Sequence, residues 1–335
     1  MKVLGIMIAI VCFLLLVTGH EAGHFGVAKF LGMKVNEFSV GMGPLILSKK
    51  KKETQYSLRA IPLGGYCLLE GEDDDSEDPR SFSKQPAWAK ILVLLAGPFV
   101  NIVIGILIFT LLYCYRGTAV PTLADVYEST PAYEAGLRAG DKIIEVDGKK
   151  YNDFASIRNA IGYSTGDTIT LTIVRDGETM HAYSGYMLND QNLRVIGILA
   201  GSSHKFSDCL NSGIKETAVV AIDVAHFFRN LFKGNVQMND VSSVVGIVKI
   251  AGDAAEVGGL INVIYIIALV SANLGYMNLL PIPALDGGRV LFTLLRCIFK
   301  GEGVDKFETA LNAVGMVLLI GLMIVIMFKD IIGLF

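Results

Sequence analysis

Apolar residues in this chain gather into blocks. The first block, Val3–Val17, continues in helical register through Thr18-Gly-His-Glu-Ala-Gly-His24 to Leu31. At about 1.5 Å per residue, Val3–Leu31 extends roughly 43 Å, enough to cross a bilayer. Lys2 ahead of the block also suits a signal peptide, but no small-residue cleavage site follows it. Further blocks of span length lie at about 91–113, 260–280 and 310–328, the third closed by Pro281 and Pro283. Between the first two blocks the pattern changes to short alternating runs, Val35–Val40, Gln55–Ile61 and Tyr66–Leu69. Gly41-Met-Gly-Pro44 and Pro62-Leu-Gly-Gly65 interrupt them, which predicts β-hairpins over about 33–70. The acidic stretch Glu70–Asp78 reads as a solvated loop.

A polar module occupies about 118–201. A helical turn leads into Gly140-Asp141, then the strand Lys142–Val146 and a hairpin turn at Asp147-Gly148. A helix over about Phe154–Ile161 and a strand from Thr168 to Val174, turning at Asp176-Gly177, come next. Ser203–Lys233 carries helical periodicity through Phe206, Leu210, Ile214, Ala218, Ile222, Ala225 and Phe228. That segment is either an interfacial amphipathic helix or one packed on the module. The fold class expected is therefore a polytopic α-helical membrane protein of about four transmembrane helices. It carries a membrane-associated β-region and one inserted α+β domain. Residues 1–117 form the first part of the membrane core, 118–201 the module, 202–257 an amphipathic or linker region, and 258–335 the second part of the core.

Composition agrees: 52% of residues are hydrophobic and 18% charged. A net charge of −3 implies no nucleic-acid partner. The five cysteines are scattered, with no CxxC pair to suggest a thiolate site. Lysine and arginine concentrate in Met33–Lys90, including Lys49-Lys-Lys-Lys52, and in the loop between the third and fourth spans, with Arg289, Arg296, Lys300 and Lys306. Four spans place both segments on one side, and the positive-inside rule makes that side cytoplasmic, with the module outside.

Candidate chemistry lies in the first span. His20 and His24 sit at i and i+4 of a predicted helix, so both imidazoles can reach one metal ion, and Glu21 lies on a neighbouring face near a water on it. Imidazole ligands with an open position favour Zn²⁺. Such groups are costly to hold in lipid without a function. A third ligand is needed, and Asp286 is the candidate, in the helix-breaking stretch Asn278-Leu-Leu-Pro-Ile-Pro-Ala-Leu-Asp-Gly-Gly288. Irregular backbone at membrane depth is tolerated where it is buried in protein or lines a wet cavity. The alternative role for Asp286 is a cap on a helix starting near Arg289; its pairing with HExxH favours the ligand role.

His20-Glu-Ala-Gly-His24 and Asn278-Leu-Leu-Pro-Ile-Pro together with Leu285-Asp-Gly287 resemble the motifs of the site-2 protease family of intramembrane metalloproteases, in particular the bacterial RIP metalloproteases. Gly41-Met-Gly43 and Pro62-Leu-Gly-Gly-Tyr66 fall where that family has its β-region, and Ala96-Gly-Pro-Phe-Val-Asn101 resembles its second-span signature. The resemblance covers nearly the whole chain. It implies one zinc per chain held by His20, His24 and Asp286, with Glu21 as catalytic base and acid. It also implies Asn278, Pro281 and Pro283 as substrate-positioning groups. The implied substrates are single-span membrane proteins, such as membrane-anchored regulators, cut within the bilayer of a bacterial cell membrane. Two departures stand out. Ser243-Val244 replaces a usual Gly-Pro, and there is room for one PDZ domain where the type member has two. Ser129–Gly148 is similar to a PDZ domain, which either binds an extended peptide as an added strand or acts as a spacer or gate. A metal transporter and a PDZ-bearing membrane scaffold are the competing functions. The first needs more polar residues along the spans than are present, and the second a damaged HExxH.

Overall fold

The computed structural model describes residues 2–72, 76–235, 241–299 and 302–332. Lys300, part of the second basic loop, and the middle of the acidic stretch lie outside the described residues. In chain order, α1 (Lys2–Phe30) is followed by β1 (Val35–Lys51), β2 (Thr54–Leu69) and α2 (Ala87–Arg116). Next come β3 (Thr118–Val126), α3 (Pro131–Glu134), β4 (Lys142–Val146), β5 (Lys149–Lys150), α4 (Phe154–Gly162), β6 (Ile169–Arg175) and β7 (Glu178–Ser184). The remainder is β8 (Met187–Leu188), β9 (Arg194–Val195), β10 (Ile198–Ser203), α5 (Phe206–Phe232), α6 (Val244–Asn278), α7 (Asp286–Ile298) and α8 (Glu302–Ile332). Two compact units result: Met1–Phe109 with Gly213–Phe335, and Thr110–Ser212. The second is wider at both ends than the 118–201 module expected from sequence.

Among the described residues, four helices are long and apolar enough to cross a membrane: Lys2–Phe30, Ala87–Arg116, Val244–Asn278 and Phe307–Ile332. Small residues let them approach closely. A Cβ at Gly5 of α1 would lie 2.6 Å from the Ala255 Cβ of α6, and one at Gly275 of α6 would lie 2.8 Å from the Pro98 carbonyl oxygen of α2. Ala9, Leu16, Ala251, Ala255, Val263 and Ile267 are buried together between α1 and α6.

The third long helix differs from its expected start near 260. α6 begins at Val244 and carries a kink at Gly258-Gly259, where Gly259 takes φ +66°. Lys249, Asp253 and Glu256 break the apolar run before the kink, so the sequence there does not read as a span. The ion pair of Lys2 with Asp253, at 2.7 Å, ties that polar end to the start of α1.

The helix expected over 203–233 is α5. Cys209, Gly213, Thr217, Val220 and Val224 are buried, whereas Ile214 and Ile222 are exposed. Val220 and Val224 pack with Ala272 of α6. Two small residues and a threonine on the buried face weaken its apolar signal.

The β-region is more folded than a simple hairpin. β1 and β2 both bend, so that Phe38 faces Cys67 on one side and Tyr56 on the other, and Val40 faces Gly65 and Leu58. The outer half of β1 pairs back onto β2, from Leu45 opposite Arg59 to Lys51 opposite Thr54. Gly41 and Gly43, at φ +82° and +78°, make the bend. There is no room for a side chain at Gly41, where a Cβ would lie 2.8 Å from the Ile61 carbonyl oxygen.

The second unit is built on a sheet of order β10-β3-β4-β6-β7, with β5 paired to β4. Both expected hairpin turns are present. Asp147 and Gly148, and Asp176 and Gly177, all have positive φ, as a two-residue turn of this type requires. Ile143, Ile157, Ile169, Leu171 and Ile196 form its core. Asp141 is buried and accepts hydrogen bonds from Arg175 Nε at 2.7 Å and from the Arg138 N–H at 2.8 Å. Burial opposes its ionisation, but these bonds outweigh it and hold its pKa below the usual carboxylate value.

Candidate metal centre

HExxH lies within the last three turns of α1, in a helix that is apolar on nearly every face. α2 crosses close behind it. A Cβ at Gly23 would lie 2.6 Å from the Ala96 carbonyl oxygen, so only glycine allows this approach. From the other side, α7 brings Asp286. A Cβ at Gly287 would overlap the carbonyls of Leu279 and Leu280, so the glycines after Asp286 let the start of α7 sit directly against the end of α6.

Among the described residues, His20, His24 and Asp286 form a group able to hold a metal ion. His20 Nε2 lies 3.2 Å from His24 Nε2 and 3.1 Å from Asp286 Oδ2, and His24 Nε2 lies 3.5 Å from the same oxygen. Around a tetrahedral zinc ion with ligand bonds of about 2.0–2.1 Å, neighbouring ligand atoms are about 3.3 Å apart. The observed triangle matches that spacing on all three edges. Asp286 Oδ2 is buried, yet it has no hydrogen-bond partner among the described residues. A cation within the triangle would satisfy it. The residues present therefore fit a tetrahedral metal with one position left open.

Asp286 is not a cap. α7 begins at Asp286 itself, three residues earlier than expected, and its N-cap is Leu285, which makes no side-chain capping bond. Glu21 stands apart from the triangle. It lies against β2, where a Cβ at Gly65 would come 3.5 Å from Glu21 Cγ. Asn278, the last residue of α6, places Nδ2 3.4 Å from His20 Nε2. Pro281 and Pro283 lie in the break between α6 and α7. There Ala284 takes φ +68° and donates its N–H to Asn312 Oδ1 at 3.1 Å.

Sequence reasoning missed the contribution of α2. His24 Nδ1 lies 2.7 Å from the Val93 carbonyl oxygen, a geometry in which the ring N–H donates and Nε2 is left to face the triangle. Gly97 leaves the space that the two imidazoles fill, since a Cβ there would lie 2.8 Å from His20 Nε2 and would overlap His24. The only sequence signal was the 96–101 motif, which points to the helix without saying what its residues do.

The profile of peptidase family M50 matches residues 8–322. A protein of Clostridium acetobutylicum, provisionally named a zinc metalloprotease, is 35% identical over 339 residues, covering 99% of this chain and 98% of its own length. Similarly named proteins of Clostridium perfringens and Fusobacterium nucleatum are 34% and 36% identical, each spanning 98% or more of both chains. Among solved structures, the PDZ domain of an SdrC-like protein from Listeria monocytogenes aligns with 25% of this chain and 87% of its own length, at 24% identity and a TM-score of 0.22. The match of the family profile and these full-length relatives place the chain in peptidase family M50, the site-2 protease family, and make it a metalloprotease.

Proposed function

We propose that this chain is a zinc-dependent intramembrane endopeptidase that hydrolyses peptide bonds in the transmembrane segments of single-span membrane proteins. The observation that carries the reading is the location of the metal-fitting triangle: two of its three corners lie inside a helix of span length and composition. The relatives' zinc-metalloprotease names support zinc as the ion. His20, His24 and Asp286 hold it, one per chain. Zinc at that position supplies a Lewis acid and lowers the pKa of a bound water toward neutrality. Glu21 takes the proton from the attacking water and passes it to the leaving amine. Its place against Gly65 sets it beside the edge of the β-region rather than among the ligands. The Asn278 amide is a donor at the rim of the triangle, where it orients a substrate carbonyl, and the Pro281–Pro283 break keeps helical backbone out of the cleavage position. Membrane-anchored regulators are the partner class, with the lipid bilayer as surroundings.

The test is a comparison of membrane-protein fragments by mass spectrometry in cells carrying the wild-type chain or Glu21→Gln. Fragments that end within predicted spans and disappear in the variant are the expected result. Identical fragment sets in the two strains would overturn the proposal.

Orientation follows from the basic segments, with Lys49–Lys52 cytoplasmic and the Thr110–Ser212 unit outside. A cysteine replacing Lys50 in intact cells is expected to be protected from an impermeant thiol reagent, and one replacing Lys149 to react. The reverse labelling would invert the topology.

A further inference from the structure

His20 has two ring nitrogens with different tasks. Nε2 is a corner of the ligand triangle, so a metal held there takes its lone pair. Neutral imidazole must then carry its proton on Nδ1, and a buried N–H needs an acceptor. Its neighbour at Nδ1 is the side chain of Asn101, fully buried, with Nδ2 placed 3.2 Å away. An amide nitrogen cannot accept a proton. Meanwhile Asn101 Oδ1 is buried with no hydrogen-bond partner among the described residues. A half-turn of the amide, which exchanges two atoms of nearly equal size, sets Oδ1 beside the ring nitrogen and turns Nδ2 to the side where Oδ1 has no partner among the described residues. It gives His20 Nδ1–H an acceptor and gives the orphaned oxygen a donor.

We propose that Asn101 is the positioning residue for His20: its amide oxygen accepts the Nδ1 proton and so fixes Nε2 as the metal-facing nitrogen. The inference rests on the metal-centre reading above. Its geometry is repeated on the same helix face. Val93, Gly97 and Asn101 lie at i, i+4 and i+8 of α2, one above another. Val93 offers its backbone oxygen to His24, Gly97 leaves room for both rings, and Asn101 offers its side-chain oxygen to His20. Asn101 is itself held in register, because Ser271 Oγ of α6 donates to its backbone oxygen at 2.8 Å. The 96–101 motif thereby acquires a role: one face of the second span orients both histidines of the first.

The test replaces Asn101 in the full-length chain with aspartate, which only accepts, and with leucine, which does neither. Apparent zinc affinity is measured by chelator competition. Outer partners of this kind are worth 10–100-fold in metal affinity. Asn101→Leu is expected to lose that much, and Asn101→Asp to stay near wild type. If the amide nitrogen were the true neighbour of Nδ1, it would oppose the Nδ1 proton of the zinc-bound ring, and both leucine and aspartate would bind zinc at least as tightly as the wild type, which would overturn the proposal. Added negative charge could by itself raise zinc affinity in Asn101→Asp, so a second readout uses ¹⁵N-labelled histidine. The zinc-loaded wild type should show two exchange-protected Nδ1 protons, from His20 and His24, and Asn101→Leu only one. Two protected protons in Asn101→Leu would equally sink the assignment. Should the wild type bind no zinc at all, the metal-centre reading fails first, and the two failures are distinguishable.

Discussion

Glu21→Gln should leave zinc bound and the fold intact while cleavage of a purified transmembrane substrate falls by at least ~10²–10⁴-fold, the usual contribution of a positioned general base. The substitution is nearly isosteric, so the side chain should keep its place against Gly65 of β2. What it loses is the ability to accept a proton at neutral pH. Glu21 is also outside the triangle formed by His20, His24 and Asp286. Zinc content by elemental analysis should therefore match the wild type. Two results would count against the assignment. A rate within about tenfold of wild type would remove Glu21 from proton transfer altogether. Loss of zinc in parallel with activity would make it a ligand or a support for one.

Much of the candidate site was legible from spacing. Two histidines at i and i+4 share a face whatever surrounds them, and the structure keeps them there, with Nε2 atoms 3.2 Å apart. Asp286 could be singled out because prolines and glycines around it forbid a continuous helix. The Asp-Gly turns of the second unit were equally direct, since few other pairs accept two positive φ angles in succession. Other features leave little trace in residue type. The Val93 carbonyl that orients His24 belongs to the backbone and could come from any residue. Gly97 acts through the absence of a side chain, and many glycines in apolar helices serve packing alone. The double pairing of Glu37–Val40, with Gly65–Leu68 and with Gln55–Leu58, depends on bends at Gly41 and Gly64 that alternation patterns cannot place. The first half of α6 was missed because three charged residues disguise a helix whose polar end meets Lys2.

Asp286→Asn decides between the two roles the sequence offered for this residue. Asparagine and aspartate are about equally good N-caps, so a capping role predicts a neutral substitution. A ligand role predicts a large one, because a carboxamide is a poor zinc ligand and the two histidines would be left as the only protein donors of the triangle. The structure already weighs against the cap, since Asp286 is the first residue of α7 and Leu285 occupies the capping position without a side-chain bond. Its remaining service to the helix is a negative charge at the N-terminus, worth about 0.3–1 kcal/mol. Asp286→Asn should therefore leave α7 folded. The expected loss of zinc affinity exceeds 100-fold, above the roughly 10–100-fold range of an outer partner such as Asn101. Activity should fall with zinc occupancy. Thermal unfolding gives an independent reading. A metal that binds only the folded chain stabilises it in proportion to RT ln(1 + [Zn]/Kd), so the wild-type melting temperature should climb with added zinc. The variant's should stay flat over the same concentrations. A zinc-dependent rise equal to that of the wild type, with full zinc content, would remove Asp286 from the metal and leave the buried Oδ2 without its proposed partner.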